Sequence, residues 1–374
     1  MKKSFADILQ DFDSVQKRKL ATKVPEWADT EGLQTVSSLA LEQCSSSATA
    51  RYKAALAARI LEGKKRPCIA DLTGGLGVDS WAFSQVAPKV VYNELNTKLA
   101  DAVRENFKLL GVGNVSVSNT DALICLSSLG QVDLVYLDPS RRDKAGKKVF
   151  LLEDCEPNIL DIKHLLFSYC PNVLLKLSPM ADISLVAERL GMCLREVHVV
   201  GTGGECKELV CWLEKTHRGG YTITVADLPD EPFTFRAADE AAAEPRFAAN
   251  VDELAGKAVI IPGAVALKSG CANLLCQRNG WIRLGRHTSI YVSDDGNFRV
   301  TEILPFNKSN IRALGKKYPF SEVTARNIPV TSEELKRKMG VASSDNTHIY
   351  ACTCDFADGS SGKYLIVTRR EQAQ

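Results

Sequence analysis

Ile69-Ala70-Asp71-Leu72-Thr73-Gly74-Gly75-Leu76-Gly77-Val78-Asp79 decides the fold. The apolar run reads as the end of a buried strand, followed by a glycine turn that opens a helix. Without Cβ atoms, Gly74, Gly75 and Gly77 let the backbone come close to a ligand. Doubly wound α/β folds bind nucleotide-like ligands at such a turn, at the carboxyl end of a first parallel strand. A dinucleotide fingerprint would place glycine at position 80, where Ser80 stands. Asp79 adds a negative charge to the first helical turn. That charge suits the helix dipole but opposes a bound pyrophosphate. The combination points away from NAD and toward a ligand with no phosphate, such as S-adenosylmethionine. A purely structural tight turn is the plainer alternative.

Outward from the turn, strand and helix patterns alternate. Apolar runs fall at 67–72, 89–93, 114–118, 132–137 and 172–177, with helical stretches such as 96–110 between them. This predicts a parallel sheet with right-handed crossovers. The second strand ends in Glu94, seventeen residues after Gly77, where an acid can accept hydrogen bonds from ribose hydroxyls. The third ends in Asp121, placed to take an adenine amino group. The fourth ends in Asp138-Pro139-Ser140-Arg141-Arg142. Acids at three successive strand ends are more specific than any one alone. Strands over 194–200 and 208–214 are joined by a loop too short for a helical crossover, so they should pair antiparallel. A parallel sheet finished by an antiparallel hairpin is the shape of the S-adenosylmethionine-dependent methyltransferase fold.

Composition sets the outer bounds. The 374 residues suggest two to four domains. A hydrophobic content of 45% and a charged content of 25% are ordinary for a soluble globular chain. The net charge of +2 makes any nucleic-acid surface local. Acids at Asp7, Asp11 and Asp13 follow Met1-Lys2-Lys3, so no secretory leader is expected. No apolar stretch is long enough to span a membrane. The twelve cysteines form no CxxC twin, which predicts reduced thiols in a cytoplasmic protein and no metal site. Nothing in the sequence sets an oligomeric state.

Residues 1–62 read as helical. Within them Ser45-Ser46-Ser47-Ala48-Thr49-Ala50-Arg51-Tyr52-Lys53 offers serines that can cap a helix. A functional reading places Tyr52 and Lys53 over the cofactor pocket, and a solvated helix face is the alternative.

The chain resembles bacterial class I methyltransferases with a C-terminal THUMP-like domain, a family regarded as RNA methyltransferases. The likeness is carried by 45–53, 71–79, 138–142, Gly204-Glu205-Cys206-Lys207-Glu208 and Glu322-Val323-Thr324-Ala325-Arg326-Asn327-Ile328-Pro329. It implies an α/β, Rossmann-like, seven-stranded core at 63–217 after the helical region. It further implies a ferredoxin-like α+β unit at 218–302 and a THUMP-like unit at 303–374. Pattern alone supports only α+β for 218–302, with a strand at 221–225, a loose stretch over 229–249 and one helix over 264–278. The cofactor expected is S-adenosylmethionine, held by Asp71, Thr73, Gly74, Gly75, Gly77, Asp79, Glu94 and Asp121.

Methyl transfer from a sulfonium is an in-line displacement, so the protein's task is to align the nucleophile. Asp138 is placed to hold an N–H group and accept its proton. Many amino-group methyltransferases carry an aromatic residue just after this acid and two prolines. Here Ser140 and Arg141 follow one proline, which leaves the target atom open. Arg141 joins Asp138 as a catalytic candidate. Arg142, Lys144, Lys147 and Lys148 make the rim basic, as a polyanionic substrate requires. Arg142, Lys176 and Lys53 are the substrate-binding candidates of the core.

From 303 to 374, eleven bases face seven acids, an excess larger than that of the whole chain. Lys308, Arg312 and Lys316 fall at i, i+4 and i+8 of one helix, so they share a face. The expected partner is structured RNA, tRNA or rRNA, docked through this surplus. A methyltransferase of a protein or small molecule, and a non-catalytic RNA-binding protein retaining the fold, are the alternatives.

Overall fold

The glycine turn leaves the first strand of a parallel sheet, as its sequence requires. The computed structural model describes residues 5–140 and 152–371. They divide into two units, Met1–Thr234 and Phe235–Gln374.

The first unit begins with helices α1 (Phe5–Lys23), α2 (Ser38–Gln43) and α3 (Ser47–Ile60). Ser46 caps α3 by accepting from Thr49 N. Alternation follows: β1 (Cys68–Asp71), α4 (Val78–Ser84), β2 (Lys89–Asn93), α5 (Thr97–Leu109), β3 (Val115–Ser118), α6 (Ala122–Leu129) and β4 (Leu134–Leu137). After residues 141–151 come α7 (Ile159–Tyr169), β5 (Asn172–Leu177), α8 (Ile183–Leu190), β6 (Leu194–Thr202), β7 (Glu205–Glu214), β8 (Thr222–Leu228) and β9 (Phe233–Phe235). The strands order as β3-β2-β1-β4-β5-β7-β6-β8-β9. The first seven of these are the expected class I methyltransferase core, with β7 antiparallel to β5 and β6. β1 and β4 lie in the middle, and Ile69, Ala70, Leu134 and Val135 are fully buried. Burial on both faces explains why these strands read as continuous apolar runs.

The strand expected to open a separate unit at 218 instead extends this first sheet. Thr222–Leu228 pairs in parallel with β6, from Glu196↔Thr222 to Thr202↔Leu228. Without it β6 would be an edge strand with unpaired backbone groups.

The second unit holds α9 (Ala237–Ala242), β10 (Arg246–Phe247), β11 (Ala258–Ile260), α10 (Ala264–Ser269), α11 (Ala272–Arg278), β12 (Ile282–Gly285) and β13 (Thr288–Ser293). It continues with β14 (Phe298–Pro305), α12 (Lys308–Lys317), β15 (Glu322–Arg326), α13 (Ser332–Met339), β16 (Thr347–Asp355) and β17 (Ser361–Arg370). Its strands form one sheet, β10-β12-β13-β11-β14-β17-β16-β15. The sheet runs through position 302 without a break, because β11 pairs with β14. The single helix expected over 264–278 is two helices. Gly270 closes α10 at φ 74°, a left-handed cap that glycine adopts readily. Thr331 and Glu334 form the capping box that starts α13. α12 and α13 share a core with β15, β16 and β17 through Leu314, Leu335, Ile349 and Leu365. Among the described residues, no helix is long and apolar enough to cross a membrane.

Candidate active site

The site is built at the carboxyl ends of β1, β2, β4 and β5. Gly77 caps α4 at φ 85°, and a Cβ there would lie 2.9 Å from both Phe107 and Val103. A Cβ on Gly74 would lie 2.1 Å from the Tyr92 ring. Glycine at 74 and 77 therefore answers to packing as well as to any ligand. Gly75, at φ 54°, has its N–H directed at Glu94, donating to Oε2 at 2.9 Å. Glu94 Oε1 accepts from Asn96 N at 2.9 Å. The acid at the end of β2 thus fixes the turn. A carboxylate has about four acceptor positions, so two remain for a ligand.

Asp121 is exposed and caps α6, its Oδ1 accepting from Leu123 N at 2.8 Å and Ile124 N at 3.2 Å. Beside these two acids stand apolar residues that sequence reasoning passed over. Leu95 is 72% exposed and Ile124 61% exposed. Asn119 draws the two loops together by donating to the carbonyls of Glu94 (2.6 Å) and Leu95 (3.1 Å).

Asp71 lies wholly inside the protein. It accepts from Ser80 Oγ at 2.6 Å and Thr73 N at 3.2 Å. Burial pushes its pKa up to about 8, against the pull of the Ser80 hydroxyl. It has no exposed surface and lies beneath the turn. Thr73 Oγ1 accepts from Asp138 N at 2.6 Å, tying the turn directly to the end of β4.

A chain of alternating charges runs from Asp138 into the interior. Lys176 on β5 donates to Asp138 Oδ2 at 2.6 Å and lies 3.9 Å from Glu208 Oε2. Glu208 on β7 accepts from Lys53 Nζ at 2.7 Å. Lys53 also donates to Ser45 Oγ at 2.8 Å and pairs with Asp79 Oδ1 at 3.1 Å. Asp79 Oδ2 accepts from Ser45 and from Tyr136, each at 2.8 Å. Its Oδ1 has no directed hydrogen bond and faces the Lys53 ammonium at 3.1 Å. Burial works to raise the Asp79 pKa, but Lys53, Lys176 and the two hydroxyls outweigh it and hold the acid below its usual value. Burial likewise works to lower that of Lys176. Asp138, Glu208 and Asp79 outweigh it and keep the ammonium charged well above the usual lysine range.

This geometry corrects several expectations. Lys53 has no exposed surface, so its ammonium neutralises Glu208 and Asp79 instead of touching a substrate. Asp79 is buried in the same network, held by Lys53, Ser45 and Tyr136. Tyr52 does not cover a cofactor pocket. Its hydroxyl meets His198 Nδ1 at 2.7 Å, and His198 meets Glu196 Oε2 at 3.0 Å. Lys176, a substrate-binding candidate in the sequence, is the ion-pair partner of Asp138. Arg141 and Arg142 lie outside the described residues. The residues flanking that stretch are joined at the site: Ser140 N donates to Glu156 O at 2.8 Å, and Glu156 N to Ser140 O at 3.1 Å. Lys308, Arg312 and Lys316 are exposed on α12 of the second unit. Ser45 and Glu208, central to the network, carried no assigned role in the sequence. Both stand in stretches that carry the family likeness, which was the available signal. Among the described residues, no group of three or more His, Cys, Asp or Glu is arranged to hold a metal.

Strand order, glycine turn and strand-end acids define a class I methyltransferase fold, and the chain carries a THUMP-like C-terminal segment. Residues 297–374 match the family model described as THUMP domain-like. The chain is similar over 96% of its length to a provisionally assigned methyltransferase of Porphyromonas gingivalis W83, with 28% identity, 89% of that chain covered and a TM-score of 0.81. Two further likenesses are partial. One is to a provisionally assigned RNA methyltransferase of Pyrococcus horikoshii (19% identity, 54% of this chain, 98% of that chain, TM-score 0.37). The other is to an rRNA methylase of Streptococcus thermophilus (12% identity, 44% of this chain, 94% of that chain, TM-score 0.33). No curated protein gives a significant match.

Proposed function

We propose that this chain transfers a methyl group from S-adenosylmethionine to a base of structured RNA, tRNA or rRNA, in the cytoplasm. The observation that carries the reading is the pair of contacts at Asp138. Its N–H is bonded to Thr73 of the glycine turn, and its carboxylate to Lys176. A reactive carboxylate is thereby held in fixed register with the turn that takes the cofactor.

The residues present fit that cofactor. Glu94 retains acceptor capacity for ribose hydroxyls, and the exposed Leu95 and Ile124 offer apolar surface for the faces of an adenine. When bound, S-adenosylmethionine supplies the electrophilic methyl carbon. Asp138 orients the attacking atom by accepting a hydrogen bond from it, and takes the proton released. Lys176 holds Asp138 in place. The residues after Pro139 supply no aromatic ring, so the identity of the attacking atom is left to experiment. The C-terminal unit contributes affinity through its basic surplus.

Calorimetry tests the cofactor half of the reading. S-adenosylmethionine or its demethylated product should bind, and NAD and ATP should not. Glu94→Ala should weaken that binding by about 1–3 kcal/mol, since ribose hydroxyls are left unpaired and the turn loses its tether. Tight NAD binding would contradict the assignment.

A further inference from the structure

Among the residues whose burial is described, Phe320 is the one aromatic side chain classed as exposed, at 67%. Its place follows from how two helices end. A Cβ on Gly315 of α12 would lie 2.1 Å from the Met339 carbonyl of α13, so the two carboxyl-terminal turns touch. The chains leaving them stay together. Ser321 N donates to Ala342 O at 2.8 Å, and Ala342 N donates to Pro319 O at 2.9 Å. Phe320 and Ala342 face each other in this bridge. Tyr318, two residues earlier, is buried and donates to Glu302 at 2.8 Å. The neighbouring aromatic therefore serves the core, and Phe320 does not.

The same two helix ends carry a group of bases. Lys317 is paired with Glu302 at 2.7 Å and Lys336 with Glu322 at 3.2 Å. Lys316, Arg337 and Lys338 are exposed, and none enters an ion pair among the described residues. Cations at helix carboxyl ends complement the dipole, which accounts for their presence. It does not account for a bare ring beside them. With 67% of its surface exposed, Phe320 buries little apolar area and adds little to folding stability. A flat apolar face flanked by unpaired cations matches the chemistry of a nucleotide, a π-face joined to phosphate.

We propose that Phe320 stacks on an unpaired base while Lys316, Arg337 and Lys338 hold the adjoining phosphates. The ligand class is single-stranded or splayed RNA, since a base inside a duplex has no free face to offer. The inference rests on the RNA reading given above and narrows it to an unpaired segment.

The test is fluorescence anisotropy of the full chain with a labelled unpaired RNA oligonucleotide and with a blunt RNA duplex of equal length, each at several salt concentrations. Phe320→Ala should weaken binding of the unpaired RNA by about 5- to 150-fold, the range for losing one base–aromatic stack. Its log–log salt slope should match wild type, because no charge is lost. Phe320→Trp should bind like wild type. Replacing Lys316, Arg337 and Lys338 by Glu should flatten the slope by about 0.7 per lost phosphate contact. Unchanged thermal unfolding of Phe320→Ala, expected for an exposed ring, excludes misfolding. Wild-type RNA binding with an unaltered Phe320→Ala curve, or an equal loss on duplex, overturns the stacking proposal and leaves the RNA reading standing. Absence of RNA binding by wild type overturns both.

Discussion

Lys176 Nζ stands 2.6 Å from Asp138 Oδ2, at the adjoining ends of two parallel strands. The pair is partly open to solvent on the Asp138 side, and Lys176 is also 3.9 Å from the buried Glu208. Lys176 therefore does more than neutralise one acid. It holds the carboxylate through Oδ2, while the Asp138 side chain stays 31% exposed. Lys176→Met should cut methyl transfer by about 100-fold or more, while cofactor affinity measured by calorimetry stays near wild type. Unchanged turnover would make the pair a structural feature only.

Deeper in the network the effect should be on stability. Lys53 is fully buried between Glu208 and Asp79. Removing its charge leaves two buried acids with Lys176 as their remaining cation, whereas the intact network need contribute little over an apolar core. Lys53→Met should destabilise the first unit by about 3–5 kcal/mol in chemical unfolding. A loss below about 1 kcal/mol would show that the acids take up protons or water at little cost.

Asp71 sets a pH dependence of opposite sign to that of Asp79. Its folded-state pKa, raised by burial to about 8 from an ordinary 3.8, means the folded protein holds a proton that the unfolded chain has released. The associated stability is complete in acid and is lost as pH rises toward about 8. Asp79, held below its ordinary value, contributes stability at neutral pH that is lost only in acid. Asp71→Asn removes the first effect alone. Between pH 5 and pH 9 the variant should gain on wild type by on the order of a few kcal/mol in unfolding free energy. Parallel pH profiles would show that Asp71 is ionised in the folded state at neutral pH.

Much of this was legible in the sequence, for identifiable reasons. Strands buried on both faces leave apolar runs, so β1, β2, β4 and β5 stood out. The loop read over 201–207 is too short for a helical crossover, so β6 and β7 had to pair antiparallel. Acids at strand ends marked the site. The pairing of Lys53 with Glu208 was not legible, since the two are 155 positions apart and meet only because β7 enters the sheet between β5 and β6. The same limit applies at 222–228, where a strand pattern shows that a strand forms but not which sheet receives it. Gly270 carried a usable signal for breaking a helix, and apolar periodicity on both sides of it masked that signal.

The face of α12 bearing Lys308, Arg312 and Lys316 is self-repelling at i, i+4 spacing, by about 0.2–0.5 kcal/mol per pair. Changing all three to Glu should weaken RNA binding and flatten the log–log salt slope by about 0.7–0.9 per lost phosphate contact. S-adenosylmethionine binding should be unaffected. Filter-binding titrations on bulk tRNA and rRNA at several salt concentrations would show this. Overlaying curves would make that face a solvated surface.

The most direct measurement is transfer of a labelled methyl group from S-adenosylmethionine to total tRNA and rRNA from a strain lacking the protein. Wild type and Asp138→Ala would be compared, with nucleosides resolved by mass spectrometry. The account predicts one labelled nucleoside with wild type, and a rate lower by about 100-fold or more with Asp138→Ala at similar cofactor affinity. Equal labelling by both proteins, or no label in RNA from a wild-type protein that binds S-adenosylmethionine, would contradict it.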